Sequence, residues 1–353
     1  MSIDEKYMWR CLQLANKGRA TTKNNPMVGS VIVHNNKIIG EGYHRRMGEA
    51  HAEVNAINSV KDHSILKEST LYVSLEPCSH YGKTPPCAEL IVSKGIKRVV
   101  VAVKDPNEQV AGRGIKMLKD AGAEVIVGVL EGEAKALNRS FFVNQIEKRP
   151  FVILKWAQTK DGFIDHERGS RVLQPLKLSN SITQCIVHRL RSQNMGIMVG
   201  TNTALKDNPS LNTRKWYGDN PVRIVLDRTG KLSADSNLFN DCATTVVFTE
   251  MAVYPIVSNV TSIQIDFDED IVAQMLHKLY ELNIATLIVE GGSVLISSFA
   301  VKNAWDEAFI EVADIEIGCG IRAPLVSGSL INAKKYIDSL HYHIKNRITR
   351  NIN

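Results

Sequence analysis

Several features that would assign this sequence to a common class of protein are missing. No apolar run approaches the roughly 20 residues of a membrane span, and the N-terminus, MSIDEKYMWR, has no apolar signal core. Six cysteines in 353 residues are too few for a dense disulfide framework. We therefore expect a cytoplasmic protein without a membrane span, in which a clustered pair of thiols is free to bind a metal ion.

Signatures of nucleic-acid and nucleotide binding are scarce as well. The net charge is +6, yet no block of lysine and arginine with interleaved aromatic residues stands out. A net positive charge without such a block favours a small phosphorylated ligand over nucleic acid. The second half of the chain has no G-x-G-x-x-G after a strand, no Walker loop and no nucleophile elbow. A phosphorylated cofactor in that half would need a different kind of binding turn.

The length of the chain suggests about two domains, and the first, residues 1–147, has the pattern of an α/β layered domain. The pair Asn35-Asn36 between two short apolar strands predicts a β-hairpin over residues 28–43. Apolar strands that alternate with helices indicate a partly parallel sheet covered on both faces. The further predicted elements are a helix at 51–60, a strand at 71–75, a helix from about 86, a strand at 97–103, a helix at 114–121, a strand at 124–129 and a helix at 131–147.

The second domain is predicted over residues 150–353, because Pro150 ends the preceding helix and cannot donate to a central strand ladder. Strands and helices alternate again, which indicates a second α/β domain around a mixed sheet. The segment 341–353, HYHIKNRITRNIN, is interpreted as a final strand or a frayed end without a role. The other predicted elements are strands at 151–157, 196–200, 222–227, 244–249, 285–289 and 306–312, and helices at 179–193 and 271–282.

Two segments of the first domain together supply the residue types of a catalytic zinc site. HAEVNAINSV begins with His51 and Glu53, and the loop EPCSHYGKTPPCAEL holds Cys78 and Cys87. Catalytic zinc uses three protein ligands and one open position, so we predict His51, Cys78 and Cys87 as the ligands. Glu53 is then predicted to shuttle protons between the activated water and a substrate nitrogen. A helix that starts at Cys87 is expected to favour its thiolate, and His80 is an alternative ligand.

Two glycine-containing turns have two interpretations each. Glu290-Gly291-Gly292 lies between an apolar strand and an apolar helix, where glycines let a phosphate approach backbone N–H groups at the helix start. The alternative is a turn that allows close packing of helix and strand. Gly112-Arg113-Gly114 also precedes a predicted helix and could belong to a nucleotide-binding loop, but lone glycines before a helix more often form a turn, so we interpret it as structural.

The motifs of the first domain resemble those of a known family. H-x-E with two cysteines is the signature of zinc deaminases, but here nine positions separate the cysteines instead of three. TTKNNPMVGSVIV, HAEVNAI, EPCSHYGKTPPCAELI and DPNEQVAGRGIKMLKDAG resemble the deaminase domain of the bifunctional riboflavin-biosynthesis family RibD. The resemblance implies a cytidine deaminase-like three-layer α/β fold and a diaminohydroxyphosphoribosylaminopyrimidine deaminase. By residue match it implies the zinc ligands His51, Cys78 and Cys87, the proton shuttle Glu53, and the substrate neighbours Asn25, His44, His80 and Lys83.

The second domain resembles the reductase domain of the same family, through KWAQTKDGFI, GTNTALKDNPSLNTR, VRIVLD and LIVEGG. The resemblance implies a fold similar to dihydrofolate reductase, and the reduction by NADPH of the opened ribose of the deaminated product to a ribityl chain. It implies an NADPH site formed by Ala157, Thr203, Asp207, Gly291, Gly292 and Ser293. It implies a substrate site formed by Lys155, Ser170, Arg191, Leu211, Arg214 and Glu290, in which the two arginines suit a phosphate, with Asp161 near the same cleft.

One segment departs from the family pattern. Family members commonly carry an aromatic Trp-Ile-Thr after the serine, whereas this chain has Ser170-Arg171-Val172-Leu173-Gln174-Pro175. The contact expected beside the nicotinamide is therefore changed at Val172.

Three functions compete for this sequence. The resemblance covers residues 3 to 330 in one domain order, so a bifunctional deaminase and NADPH-dependent reductase is the leading hypothesis. A nucleic-acid editing deaminase, related to tRNA adenosine deaminases, would need a basic aromatic surface, and a structural zinc protein would need four protein ligands. We expect one zinc per chain, phosphoribosylaminopyrimidine substrates, no nucleic-acid or membrane partner, and a homo-oligomer, either a dimer or a tetramer.

Overall fold

In the computed structural model the chain forms two compact units, residues 1–148 and residues 149–351. The structure describes residues 1–81, 85–107, 110–169, 174–254 and 258–347. Within these ranges no helix is long and apolar enough to cross a membrane. Each unit is built around a main sheet of its own.

The first unit consists of a five-stranded sheet and the helices that cover it. Its strands are β1 (Gly29–His34), β2 (Lys37–Tyr43), β3 (Thr70–Val73), β4 (Arg98–Val101) and β5 (Glu124–Val127). Its helices are α1 (Ile3–Ala15), α2 (Ala52–Asn58), α3 (Cys87–Ser93), α4 (Arg113–Asp120), α5 (Glu131–Leu137) and α6 (Arg139–Glu147), with short 3-10 helices at Asn16–Gly18 and His63–Glu68. The strand order is β2-β1-β3-β4-β5; β1 is antiparallel to both neighbours, and β3, β4 and β5 are parallel.

Local sequence signals explain how several of these elements begin and turn. Asn35 and Asn36 have φ angles of 48° and 60°, so they form the left-handed turn of the predicted hairpin, which is confirmed. Helix α1 is absent from the predicted elements. It begins with a capping box in which the side chains of Ser2 and Glu5 each accept a hydrogen bond from the other residue's backbone N–H.

Both faces of the first sheet are buried, as predicted for a three-layer α/β domain. One hydrophobic cluster contains Val31 and Val100 together with side chains of α1, α5 and α6. The other contains Ile32 and Val99 together with side chains of α2, α3 and α4. Neighbouring strand residues point to opposite faces, so each strand contributes to both clusters.

The single helix predicted over residues 131–147 is wrong at its centre, because Asn138 divides it into α5 and α6. The Asn138 side chain accepts a hydrogen bond from Met27 N at 2.8 Å and donates one to Met27 O at 2.9 Å. Both partners are distant in sequence. An asparagine that bonds to backbone in this way favours a break over helix continuation.

The second unit is built around a nine-stranded sheet, and the prediction that this sheet is mixed is confirmed. Its strands are β6 (Phe151–Thr159), β7 (Phe163–Asp165), β8 (Gly196–Val199), β9 (Val222–Leu226), β10 (Thr245–Thr249), β11 (Val260–Gln264), β12 (Thr286–Glu290), β13 (Glu307–Ala313), β14 (Ile321–Arg322), β15 (Gly328–Tyr336) and β16 (Ser339–Asn346). Its helices are α7 (Ser181–Ser192), α8 (Thr201–Asp207), α9 (Ile271–Glu281) and α10 (Ser293–Val301), with a 3-10 helix at Asn237–Phe239.

The sheet order is β11-β10-β9-β8-β12-β6-β13-β16-β15, and β7 pairs separately with β14. Neighbours from β11 to β13 are parallel, whereas β16 is antiparallel to both β13 and β15. The frayed-end interpretation of the tail is therefore wrong for residues 341–346, which form most of β16. These residues form a strand because of their full ladder with β13, which pairs residues 339–345 with residues 307–313. Residues 348–353 of that segment lie outside the described residues.

Strand β6 contributes side chains both to the core of this unit and to a cleft. Leu154 and Trp156 belong to the main hydrophobic core, together with Phe248 and Phe299. Lys155 lies between them in sequence, so its side chain projects from the opposite face of the sheet. Lys155 lines a cleft of about 1000 Å³, large enough for a cofactor and a substrate together, and core residues such as Trp156 and Leu295 line it as well.

Candidate active sites

Two helix starts and one loop bring the predicted zinc ligands together in the first unit. His51 is the residue before α2 and has extended backbone angles, while Cys87 is the first residue of α3. Cys78 lies in the loop after β3, and its carbonyl accepts a hydrogen bond from the N–H of Ala88. The loop is thus attached to the start of α3, which fixes one cysteine beside the other.

The geometry of these three side chains fits a zinc ion. His51 Nδ1 lies 3.5 Å from Cys78 Sγ and 3.4 Å from Cys87 Sγ. Bonds of about 2.3 Å to sulfur and about 2.0 Å to nitrogen at tetrahedral angles place such ligand atoms about 3.5 Å apart. Among the described residues these three form a group whose ligand atoms all lie within 4.8 Å of one another. His80 is exposed and lies outside that group, which does not support its role as an alternative ligand.

The two thiols differ in their ionisation, and the difference is opposite to our expectation. A hydrogen bond from the Cys87 thiol, opposed by burial and assisted by His51, lowers the pKa of Cys78 to about 4. The same contact with Cys78, together with burial, raises the pKa of Cys87. The backbone N–H of Cys87 donates to Cys78 Sγ at 3.3 Å, so the start of α3 stabilises the neighbouring thiolate and not that of Cys87 itself.

Glu53 lies in the first turn of α2 and is buried. Burial raises the pKa of Glu53 to about 7, although the charge of His51 acts in the opposite direction. Its charge in turn contributes to the raised pKa of Cys87, which places it close to the ligand group without being a member. A carboxyl group with a pKa near neutrality can both accept and donate a proton.

Of the other predicted substrate neighbours, Asn25 and His44 lie beside the ligand group, whereas His80 is exposed. His44 is buried, and its Nε2 lies 3.1 Å from Asn25 Nδ2, while its ring packs edge-on against His51 with 5.6 Å between ring centroids. Burial lowers the pKa of His44, so the ring is neutral near pH 7. His80 is exposed, and its charge acts on Asp105. Lys83 lies outside the described residues.

Sequence reasoning assigned no role to two acidic residues at this site. Asp105 follows β4, and burial raises its pKa, with further effects from Glu76, His80 and Cys78. Glu76 is buried and accepts four backbone hydrogen bonds, from residues 105, 112, 114 and 115, at 2.9 to 3.2 Å. It therefore ties the loop after β4 to the start of α4. Asp105 could have been identified from its position shortly after a predicted strand, because ligands of α/β sheets bind beyond the carboxyl ends of the strands.

Most of the residues predicted for the reductase line the cleft of the second unit. They are Lys155, Ala157, Arg191, Thr203, Asp207, Leu211, Glu290, Gly291, Gly292 and Ser293. Arg214 is exposed and is not among the lining residues, but its charge and that of Arg191 help to lower the pKa of the buried His188 to about 4, after burial itself. Asp161 also lies outside the lining and accepts hydrogen bonds from Ile317 N and Gly318 N.

The predicted substrate residue Ser170 and the altered segment 171–173 lie outside the described residues. The contact of Ser170 with the substrate and the changed contact at Val172 therefore stay predictions.

The turn at Gly291 and Gly292 approaches helix α8 closely. Both glycines have positive φ angles, 81° and 82°, which favour glycine. A Cβ atom on Gly291 would lie 2.9 Å from Thr203 Cγ2, and one on Gly292 would lie 3.2 Å from Thr203 Oγ1. The turn therefore has both properties considered from the sequence: close packing, and a bare backbone that lines the cleft.

Two arginines in the cleft are already bound to carboxylates. Arg191 donates to Glu290 at 2.7 Å and to Asn212 O at 3.2 Å. Although burial raises the pKa of Glu290, the charges of Arg191 and Lys155 bring it below its ordinary value. Arg168, which we did not predict, is buried and donates to Asp165 and to Asp207. These pairs fix the orientations of Glu290 and Asp207.

Leu211 has a left-handed backbone conformation with a φ of 47°, although its side chain is buried. A branched, non-glycine residue rarely adopts this conformation, and such residues are frequent in binding sites. Leu211 lines the cleft, so the strained residue belongs to the site.

Comparisons with known proteins assign both units. Residues 1–103 match the family model of the cytidine and deoxycytidylate deaminase zinc-binding region, and residues 150–349 match that of the RibD C-terminal domain. The chain therefore combines a zinc-binding deaminase region with a reductase domain, and zinc and NADPH are its cofactors, as predicted.

Relatives of full length agree with this assignment. The chain is 39% identical to the riboflavin biosynthesis protein RibD of Aquifex aeolicus, over 90% of this chain and 89% of that protein. It is similar to a solved diaminohydroxyphosphoribosylaminopyrimidine deaminase/5-amino-6-(5-phosphoribosylamino)uracil reductase from Thermotoga maritima, with a TM-score of 0.88, 37% identity and coverage of 98% and 99%. A solved RibD of Acinetobacter baumannii has a TM-score of 0.86 at 30% identity, with coverage of 97% and 98%.

The chain belongs to the RibD family of riboflavin-biosynthesis enzymes. It is a bifunctional deaminase and reductase that acts on small molecules of that pathway, and the predicted family, fold class and enzyme classes are confirmed. A tRNA-editing deaminase is not favoured.

The glycine turn gives a direct test of the cleft. In Gly291→Ala, the positive φ and the contact with Thr203 should destabilise the present conformation of the turn by about 1–2 kcal/mol. If this conformation binds NADPH, KM for NADPH should rise about tenfold. Deaminase activity should be unchanged. Gly132→Ala is the control, because nothing lies within 4 Å of the position that its Cβ atom would take. An unchanged KM in Gly291→Ala would show that the turn does not bind the cofactor.

Proposed function

We propose that residues 1–147 deaminate diaminohydroxyphosphoribosylaminopyrimidine and that residues 150–353 reduce the product, 5-amino-6-(5-phosphoribosylamino)uracil, with NADPH. These are the two activities of the similar protein of Thermotoga maritima. The observation that carries the proposal is the convergence of His51, Cys78 and Cys87 at ligand distances, with the buried Glu53 beside them. Three ligands leave a fourth position open, which distinguishes a catalytic from a structural zinc site.

In the deaminase, zinc held by His51, Cys78 and Cys87 would supply the Lewis acidity that activates a water for attack. Glu53 would accept the proton of the attacking water and deliver it to the amino nitrogen that leaves as ammonia. Its pKa of about 7 suits both transfers near neutral pH. Asn25 and His44, which contact each other beside His51, would orient the pyrimidine.

In the reductase, NADPH would supply the hydride, and the turn at Gly291 and Gly292 would bind its phosphates through backbone N–H groups. Lys155, paired in the sheet with Glu290, lines the cleft and would give the proton that accompanies the hydride. Arg191 is bound to Glu290, so we assign the substrate phosphate chiefly to the exposed Arg214.

We further propose a cytoplasmic homo-oligomer, a dimer or tetramer, that binds no nucleic acid. Strand β15 supports self-association, because it is the outermost strand of the nine-stranded sheet and exposes Leu330 and Ile331. Six cysteines in 353 residues are too few for a disulfide framework, which supports a reducing compartment.

Glu53→Gln tests the deaminase mechanism. The amide keeps the shape of the side chain but cannot carry a proton, so ammonia release should fall by about 10²-fold to 10⁴-fold while zinc content stays near one per chain. Cys87→Ala is the matched variant, in which elemental analysis should show that zinc itself is lost. Normal turnover by Glu53→Gln would remove Glu53 from this role, and a wild-type chain without bound zinc would contradict the proposed site.

Arg214→Ala tests the phosphate assignment. Loss of a charge-assisted contact to a phosphate should raise KM for the deaminated substrate about tenfold or more, while KM for NADPH stays unchanged. Arg189→Ala is the control, since that arginine is also exposed but lies over the Trp216 ring at 5.7 Å. Equal substrate KM values in wild type and Arg214→Ala would show that another residue binds the phosphate.

A further inference from the structure

Glu311, on β13, is a buried acid to which the deaminase and reductase assignments above give no role. Only 1% of its side chain is exposed. Ionised carboxylates are rarely buried unless they have partners, because their transfer from water is costly. The surroundings of Glu311 therefore indicate what this charge does.

The strand register places Glu311 beneath the reductase cleft. In the β6–β13 pair, Phe309 is opposite Lys155 and Glu311 is opposite Ala157. Alternate residues of a strand share a face, so the side chains of Glu311 and Lys155 project from the same face of the sheet. They are diagonal neighbours, a separation that a long lysine side chain can bridge.

Each element packed against Glu311 contributes a polar group. Ser179, just before α7, donates from Oγ to Glu311 Oε2 at 2.6 Å, and it lines the cleft. His341 of β16 has its Nε2 3.7 Å from Glu311 Oε1, and within the described structure neither of these two atoms has a hydrogen-bond partner. Burial raises the pKa of Glu311, but the contacts with His341, Ser179 and Thr183 and the charge of Lys155 bring it below its ordinary value. The side chain is therefore an anion.

Lys155 lies between two carboxylates, and only one of them is already bound to an arginine. Glu290 receives hydrogen bonds from Arg191 on both of its oxygens, at 2.7 and 3.4 Å. Glu311 has no arginine among its described neighbours, and its Oε1 is not hydrogen-bonded there. Glu311 is thus the carboxylate that remains to orient the ammonium group of Lys155.

We propose that Glu311 is a positioning residue of the reductase: it holds Ser179 and the Lys155 ammonium where Lys155 protonates the substrate nitrogen as hydride arrives. This inference rests on the proposed reductase function. The hydride of NADPH brings two electrons and one hydrogen to the carbon of the C=N bond in the opened ribose. The substrate nitrogen takes its proton from the Lys155 ammonium. The neutral Lys155 amine that remains then regains a proton from water.

The test compares two substitutions that separate charge from shape. Glu311→Gln keeps the size of the side chain and still accepts the Ser179 hydrogen bond, but it has no charge. Glu311→Asp keeps the charge on a shorter side chain. We expect kcat for NADPH oxidation with the deaminated substrate to fall about 10-fold to 100-fold in Glu311→Gln, with KM for NADPH unchanged, and to fall less in Glu311→Asp.

The pH profile provides a second readout. The pH dependence of kcat should change in Glu311→Gln, which removes the carboxylate, and should stay that of wild type in Glu311→Asp, which keeps it. Glu307→Gln is the matched control. Glu307 lies on the same face of β13 and contacts His343 at 2.8 Å, but it is not among the residues that line the cleft. Its kcat and pH profile should equal those of wild type.

The possible outcomes are distinguishable. A purely structural Glu311 predicts the reverse order, with Glu311→Gln more active than Glu311→Asp, because the amide fits the site better; that result would overturn the proposal. An unchanged kcat and pH profile in Glu311→Gln would do the same. If Glu311→Gln did not fold, Glu311→Asp would still test the proposal. A kcat lowered 10-fold to 100-fold and a pH profile different from that of wild type in Glu311→Asp would contradict it, because that variant keeps the charge. Wild-type protein that oxidises no NADPH with this substrate would instead refute the proposed reductase function.

Discussion

Burying a carboxylate removes its hydration, and this cost must be offset by hydrogen bonds or by a neighbouring positive charge. Both sites of this protein are organised around carboxylates that are stabilised in different ways. Glu76 is satisfied by four backbone N–H groups, which fixes the loop next to the zinc ligands. Glu290 is satisfied by Arg191. Glu53 is the exception, since burial outweighs its charged neighbour and its pKa rises to about 7. Among these three carboxylates, the residue proposed to move protons is therefore the one whose charge is least stabilised.

The same principle explains why the two thiols of the first unit are unequal. A helix start offers N–H groups, but they stabilise whichever anion they point at. The N–H of Cys87 points at the sulfur of Cys78, so the charge is favoured on the loop residue and not on the helix residue. Sequence position identified Cys87 as the first residue of a helix but could not show the direction of that N–H.

Local patterns predicted much of the fold because they act over short distances. Asn35-Asn36 predicted a turn, and Pro86 before Cys87 predicted the start of α3; the structure has both. The break at Asn138 could not be predicted, because its cause is a bond to Met27, 111 positions away. Strand β16 was ambiguous for a similar reason, since a polar tail becomes a strand only through its ladder with β13.

The candidate sites divide along the same line. H-x-E and two cysteines identify a chemistry by residue type, so His51, Glu53, Cys78 and Cys87 could be predicted before any contact was known. Arg168, Ser179 and Glu311 carry no motif, and their roles follow only from the sheet and the helices that place them against Asp207, the cleft and one another. Residues that support a site from behind are visible only in three dimensions.

The most direct measurement of the central claim follows ammonia and NADP⁺ together while the wild-type protein is incubated with diaminohydroxyphosphoribosylaminopyrimidine. With NADPH absent, ammonia should be released and should reach about one equivalent of substrate. With NADPH present, NADP⁺ should appear only after ammonia, because the reductase needs the deaminated product. NADP⁺ formed without ammonia, or ammonia followed by no NADPH oxidation, would contradict a chain that catalyses both reactions in this order.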